Sequence, residues 1–193
     1  MSAAPAKEGP LLRNSPVDFN PREGVVLHSV AAGSFAGLVL GIGELMIALV
    51  SGRSLLEPVL VTSSLVLGPG ALDRTVPGSG SIVAGSVAHF LLSILFAFLF
   101  FLLVGPRWRS GANDYLVFVF GITYGALIWS VNLLLVAPLF FPRFTSLHQG
   151  WGGMSAYAFL YGAVLGLYAV AVPSAREPIF VPKPLQNRHE TVT

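Results

Sequence analysis

The sequence predicts an all-α integral membrane protein, built as a four-transmembrane-helix bundle with a short interfacial helix in its first external loop. Two observations favour this class. The 193 residues are 54% hydrophobic and only 10% charged, whereas the surface of a soluble domain needs roughly 25% charged residues. Four stretches also exceed the roughly 20 apolar residues that a helix needs to cross a bilayer.

The composition also excludes several classes of function. The chain has no cysteine, which rules out a disulfide scaffold, a thiolate metal site and a thiol nucleophile. Its net charge is only +2 and is spread over tails and loops. A nucleic-acid-binding surface is therefore not expected.

Glycine, proline and polar residues bound the four spans. We expect the spans at about residues 25–50, 82–104, 115–137 and 154–172, within a membrane domain of residues 24–173. The first is longer than a signal-peptide core of roughly 7–15 residues and should be retained as an anchor. A fifth apolar stretch, residues 55–67, is too short to cross. Its Glu57-Pro58 pair is typical of a helix start, and we expect a helix at the membrane surface, with a re-entrant segment as the alternative.

Proline-rich polar segments flank the membrane domain, and we expect residues 1–23 and 174–193 to be disordered tails. Both tails and the loop at 105–114 lie on one side of a four-span bundle. They hold eight of the eleven Lys and Arg residues, and only Arg53, Arg74 and Arg143 lie on the other side. The positive-inside rule therefore places both termini in the cytoplasm.

Glycines recur at intervals of four in three of the spans, where small residues let helix backbones approach closely. They are Gly33, Gly37, Gly41, Gly121, Gly125, Gly162 and Gly166. We expect these residues to pack the helices into a compact bundle. The alternative is that one stripe faces a second copy of the chain or a partner subunit.

A weak internal repeat also suggests two related hairpins. When the glycines of the two halves are aligned, Glu44 corresponds to Asn132, and His89 corresponds to Tyr161. Chance matching of glycines in a glycine-rich membrane sequence is the alternative explanation.

The same four polar residues, Glu44, His89, Asn132 and Tyr161, are expected at similar depth in their spans. An ionisable group in hydrocarbon costs on the order of 3 kcal/mol, so Glu44 needs a partner or a purpose. We expect a buried polar layer in which Glu44 and His89 form a charged pair or share a proton. Three interpretations stand: a satisfied network that orients the helices, a proton-relay or ion-binding site, and a ligand site.

No metal and no cofactor are predicted, because only Glu44 and His89 in this layer are good metal ligands. A haem held by two histidines would need His89 and His148. Arg143, His148 and Trp151 are instead expected to form an external rim above the polar layer. An intramembrane enzyme with Glu44 as its base would lack a second carboxylate, so we predict that the protein is not an enzyme.

Two segments, HFLLSILFA at residues 89–97 and GITYGAL at 121–127, resemble the YagU-like group of uncharacterised bacterial inner-membrane proteins. The resemblance implies four spans, a long external loop after the first, and a bacterial inner-membrane location. Members of the group are richer in histidine where this chain has Asn132 and Tyr161. A metal or proton role is therefore not carried over from the group.

Two hypotheses of function follow. The first is a structural or accessory membrane module without catalytic machinery, and the second is a small transporter or ion- or proton-handling protein that uses Glu44 and His89. The expected partners are the lipid bilayer and a second copy or a larger membrane complex, without nucleic acid.

Overall fold

A computed structural model of the protein describes residues 21–71, 78–107, 113–140 and 151–172. Within these residues the regular elements are all helical. The α-helices are α1 (Pro21–Val50), α2 (Glu57–Leu67), α3 (Ser79–Arg107), α4 (Asp114–Val131), α5 (Ala137–Phe140), α6 (Trp151–Ser155) and α7 (Ala163–Ala171). A 3-10 turn, Pro69–Ala71, follows α2. Two π-helical segments, Asn132–Val136 and Ala156–Gly162, join α4 to α5 and α6 to α7.

Four helical stretches are long and apolar enough to cross a membrane. They are span 1 (Gly24–Val50), span 2 (Ser79–Val104), span 3 (Asp114–Leu139) and span 4 (Gly152–Ala171). Large apolar side chains on their outer faces are exposed, as expected of surfaces that meet lipid. The prediction of an all-α, four-span membrane protein is confirmed, and each span begins and ends within three residues of its expected bounds. The two tails lie outside the described residues.

The spans are arranged as two hairpins. Span 1 packs on span 2, span 3 packs on span 4, and span 1 also contacts span 4, so the two hairpins meet through these helices. Spans 2 and 3 contact each other only slightly. The bundle is therefore closed on one side and partly open between spans 2 and 3.

Glycines form the contact within each hairpin. A Cβ atom added at Gly33 would lie 2.7 Å from Ile94 Cα in span 2, and one added at Gly121 would lie 2.5 Å from Gly162 O in span 4. The other glycines that recur at intervals of four also face helices of the same chain. Gly37 and Gly41 face span 2. Gly125 faces span 4, whereas Gly162 and Gly166 face span 3. These seven residues therefore lie at contacts between helices of the same chain, and the alternative of a second copy or a partner subunit stays a prediction.

One half of the bundle is closely packed. Spans 2 and 3 meet there through aromatic side chains, since the ring centroid of Phe100 lies 5.9 Å from that of Phe120 and 5.3 Å from that of Tyr124. Phe100, Phe101 and Val104 are fully buried in the same core. In the opposite half, on the side of α2, spans 2 and 3 diverge.

Helix α2 begins at Glu57, at the predicted helix-start signal, and packs along α3. Gly85 makes this contact possible, because a Cβ added there would meet the backbone of Val59 and lie 3.2 Å from Ser63 Cβ. One face of α2 is thereby buried, including Ser63 and Ser64. Its location at the membrane surface stays a prediction, and its attachment to span 2 places it beside the gap between spans 2 and 3.

A cavity between spans 2 and 3

The gap between spans 2 and 3 is a cavity of about 670 Å³. Its walls are α2, span 2 and span 3, and spans 1 and 4 also contribute side chains. We call it the lateral cavity. The four residues of the predicted polar layer all line it: Glu44, His89, Asn132 and Tyr161.

Glu44 forms its hydrogen bond with Tyr157 of span 4, whose hydroxyl donates to the carboxylate. The expectation that Glu44 pairs directly with His89 is not what the structure shows. The two side chains line the same cavity, but each bonds to a different group. Tyr157 is not among the residues predicted for the polar layer. Its position four residues before Tyr161 was a usable signal, since residues at that spacing share a helix face.

His89 bonds to the backbone of span 1. Its Nε2 lies 2.8 Å from the carbonyl oxygen of Gly37, and because a carbonyl can only accept, Nε2 carries the hydrogen. The ring lies beside the glycines of span 1, since a Cβ added at Gly37 or Gly41 would be 3.7 or 3.4 Å from Nε2, an ordinary van der Waals distance.

Tyrosine hydroxyls attach the second hairpin to span 2. Tyr161 donates to the carbonyl oxygen of Ser93, and Tyr124 donates to that of Phe96 at 2.7 Å. The Ser93 hydroxyl in turn donates to the His89 carbonyl at 2.8 Å. Buried hydroxyl groups are therefore satisfied, and these bonds hold the wall of the cavity in place.

Both π-helical segments lie at the lateral cavity. Asn132, Leu133 and Val136 of the first segment line it, and so do Tyr157 and Tyr161 of the second. A π-helical turn is wider than an α-helical turn and is frequently found at functional sites. The two segments therefore set which side chains of spans 3 and 4 face the cavity.

The lateral cavity opens through the side of the bundle. Three of its lining residues are also largely exposed on the outer surface: Val66 (63%), Val87 (52%) and Leu91 (61%). All three are apolar, as a surface in contact with lipid requires. The cavity is therefore accessible from outside the bundle past apolar side chains.

A second cavity of about 180 Å³ lies next to the first, between span 1, α2 and span 2. Four residues border both cavities: Glu44, Pro58, Thr62 and His89. These side chains form the partition between the two spaces. The acid and the imidazole of the polar layer are thus accessible from two directions.

The indole of Trp129 also lines the lateral cavity. Its Nε1 is buried and has no hydrogen-bond partner among the described residues. It lies against Gly153, where a Cβ would be 2.8 Å from Nε1. The ring is therefore held between span 4 and the cavity.

Two of the three residues predicted for the external rim, Arg143 and His148, lie outside the described residues. The pairing of His89 with His148 that a haem site would need is therefore not tested. Trp151 is described only as the first residue of α6. In the described parts of the chain, no three His, Asp or Glu side chains are grouped as a metal ion requires.

Comparison of the chain with protein families, with curated proteins and with solved structures found no match. The resemblance to the YagU-like group stays a prediction. The function is therefore argued from the cavity itself.

Proposed function

We propose that this membrane protein binds a small, mostly apolar organic molecule in the lateral cavity. The observation that carries the proposal is a cavity of about 670 Å³ that contains the hydrogen-bonded pair of Glu44 and Tyr157. Binding sites for small molecules typically have about 300–1,000 Å³, mostly apolar walls and a few polar groups that orient the ligand. The lateral cavity has each of these properties.

A polar layer that only attaches the helices to one another explains fewer of these features than a binding site does. It explains the bonds of His89 and Tyr161, which attach helices to one another. It does not explain why the helices leave open space around Glu44, since protein interiors are normally close-packed. The structural or accessory module is therefore the weaker of the two original hypotheses.

Transport is the second candidate function. It is favoured by the position of Glu44 and His89, which border both the lateral cavity and the smaller one. A ligand or proton that passes between the two spaces would pass these side chains. Flux into liposomes, compared between the native chain and Glu44→Gln, tests this candidate, and equal flux would remove it.

The proposal also includes a location. The distribution of Lys and Arg supports both termini in the cytoplasm, and the YagU-like resemblance supports a bacterial inner membrane. Binding of a small molecule from the bilayer needs no catalytic step, cofactor or partner protein. Assembly with a second copy or a larger complex stays a prediction.

Calorimetric titration of the purified protein in a nonionic detergent tests the proposal. Triphenylphosphine oxide is a suitable probe, because it is neutral, mostly apolar and carries one hydrogen-bond acceptor. Leu133→Trp places a larger side chain in the lateral cavity, whereas Leu134→Trp makes the same change at a neighbouring residue that is 71% exposed.

We expect the native chain and Leu134→Trp to bind the probe above the background of empty micelles. Leu133→Trp should weaken binding by about tenfold or more, because overpacking of this kind costs roughly 1–3 kcal/mol. Absence of binding to the native chain, or equal binding by the two variants, would contradict the proposed function.

A further inference from the structure

We propose that the lateral cavity selects lipophilic organic cations, with the Glu44 carboxylate as their counter-ion. This inference rests on the proposed function and adds the chemical class of the ligand. It depends on the charges, hydrogen bonds and aromatic rings of the residues that line the cavity.

Among the described residues, the lining of the lateral cavity has one acidic side chain and no lysine or arginine to balance it. Glu44 is the acid, and none of the described residues around the cavity is Lys or Arg. Its hydrogen-bond partner, Tyr157, is a neutral donor that leaves the net charge of the site unchanged. A carboxylate removed from water is stabilised when an opposite charge lies beside it. A bound cation supplies that charge.

His89 does not serve as this counter-ion in the structure. Its Nε2–H donates to Gly37 O rather than to Glu44. This bond to span 1, at 2.8 Å, positions the ring. The carboxylate therefore stays available to a ligand in the cavity.

Aromatic rings add a second attraction for positive charge. Phe96, Trp129, Tyr157 and Tyr161 all line the lateral cavity. The face of an aromatic ring attracts a cation, and this attraction is strongest where the cation is removed from water. The rings also offer apolar surface to an organic cation, which a hydrated inorganic cation cannot use.

Three probes of similar phenyl-rich shape separate the contributions of charge and apolar surface. Tetraphenylphosphonium is a permanent cation, tetraphenylborate is an anion of nearly the same shape, and triphenylphosphine oxide is neutral. Each is titrated into the native protein, with the signal from protein-free micelles subtracted. No variant is needed for this comparison, so the result does not depend on the folding of a mutant.

We expect the cation to bind about tenfold or more tightly than the neutral probe, and the anion to bind most weakly, because charges at low effective dielectric interact strongly. Equal affinities for the cation and the anion would overturn the inference. If the neutral probe binds and the cation has no advantage, the choice of ligand class is wrong and the proposed function stands. If none of the three binds, the proposed function itself fails.

Two variants with the same chemical change test whether the Glu44 carboxylate is the charge that favours the cation. Glu44→Gln removes the carboxylate in the cavity, and Glu57→Gln removes one that pairs with Arg53 on the surface. The advantage of the cation over the neutral probe should fall to near one in Glu44→Gln and stay at its native value in Glu57→Gln. Binding of the neutral probe shows that Glu44→Gln is folded. An unchanged cation advantage in that variant would contradict the assignment of Glu44.

If Glu44→Gln does not fold, the comparison of the three probes on the native chain remains the test of the inference. Equal affinities for the cation and the anion would then overturn it.

Discussion

Substitution of Gly121 by alanine should weaken the contact between spans 3 and 4. The added Cβ would lie 2.5 Å from Gly162 O and 2.8 Å from Gly166 Cα. Carbon contacts are relaxed at about 3.5–4.0 Å, so the two backbones must separate by about 1 Å. Both neighbours are backbone atoms, and no side-chain rotation can relieve the overlap.

The expected magnitude follows from two opposing contributions. Overpacking of a close contact costs about 1–3 kcal/mol, and an overlap with backbone belongs at the upper end of that range. Alanine favours the helix over glycine by about 1 kcal/mol. The net loss in the free energy of unfolding should be about 1–2 kcal/mol, which is roughly a tenfold change in the unfolding equilibrium constant.

Reversible unfolding of the purified protein by sodium dodecyl sulfate in mixed micelles, followed by circular dichroism, measures this loss. Gly152→Ala is the matched control, since it makes the same change in span 4 at a position with no atom within 4 Å of the added Cβ. The control should be as stable as the native chain or slightly more stable. If Gly121→Ala were as stable as Gly152→Ala, the close approach of the two backbones would be refuted.

Three further predictions concern the walls of the lateral cavity. Tyr161→Phe removes the hydrogen bond to Ser93 O and should lower the free energy of unfolding by about 1 kcal/mol. Unfolding in sodium dodecyl sulfate measures this loss, and no change would mean that the bond does not stabilise the bundle. His89→Leu should destabilise the protein by about 1 kcal/mol or more, because it removes the donor to Gly37 O. His89→Gln keeps an N–H donor and should destabilise it less. Equal losses in the two variants would argue against the hydrogen bond between His89 and Gly37 O. Deletion of Leu134 removes one exposed residue from a π-helical segment and should narrow that turn to an α-helical one. Because this shifts the cavity residues of the segment, triphenylphosphine oxide should bind less tightly than to the native chain; unchanged binding would contradict the role of the segment.

The membrane fold could be predicted from the sequence because it follows from length and polarity alone. A helix of known rise must cross a layer of known thickness, and each apolar stretch is long enough to do so. The depth of Glu44, His89, Asn132 and Tyr161 follows from the same rise, and the structure places all four around one cavity. The contacts of Gly33 and Gly121 likewise agree with the expectation that glycines lie where helices approach closely.

The partners of the polar side chains could not be predicted in this way. Whether Glu44 meets His89 or Tyr157 depends on the rotation of each helix about its axis, which depth does not define. The π-helical segment Ala156–Gly162 changes that rotation within span 4, and no residue type in it marks a wider turn. The cavity itself arises because spans 2 and 3 diverge in one half of the bundle, which is a property of packing rather than of either sequence segment.

The most direct test of the ligand-binding cavity is photocrosslinking with a diazirine derivative of triphenylphosphine oxide, followed by mapping of the labelled residues by mass spectrometry. The proposed function predicts labels on the residues that line the lateral cavity, such as Thr62, Leu92 and Leu133, and loss of these labels in the Leu133→Trp variant. Labels confined to outward-facing residues such as Leu134 and Leu127, or a pattern that Leu133→Trp does not change, would contradict it.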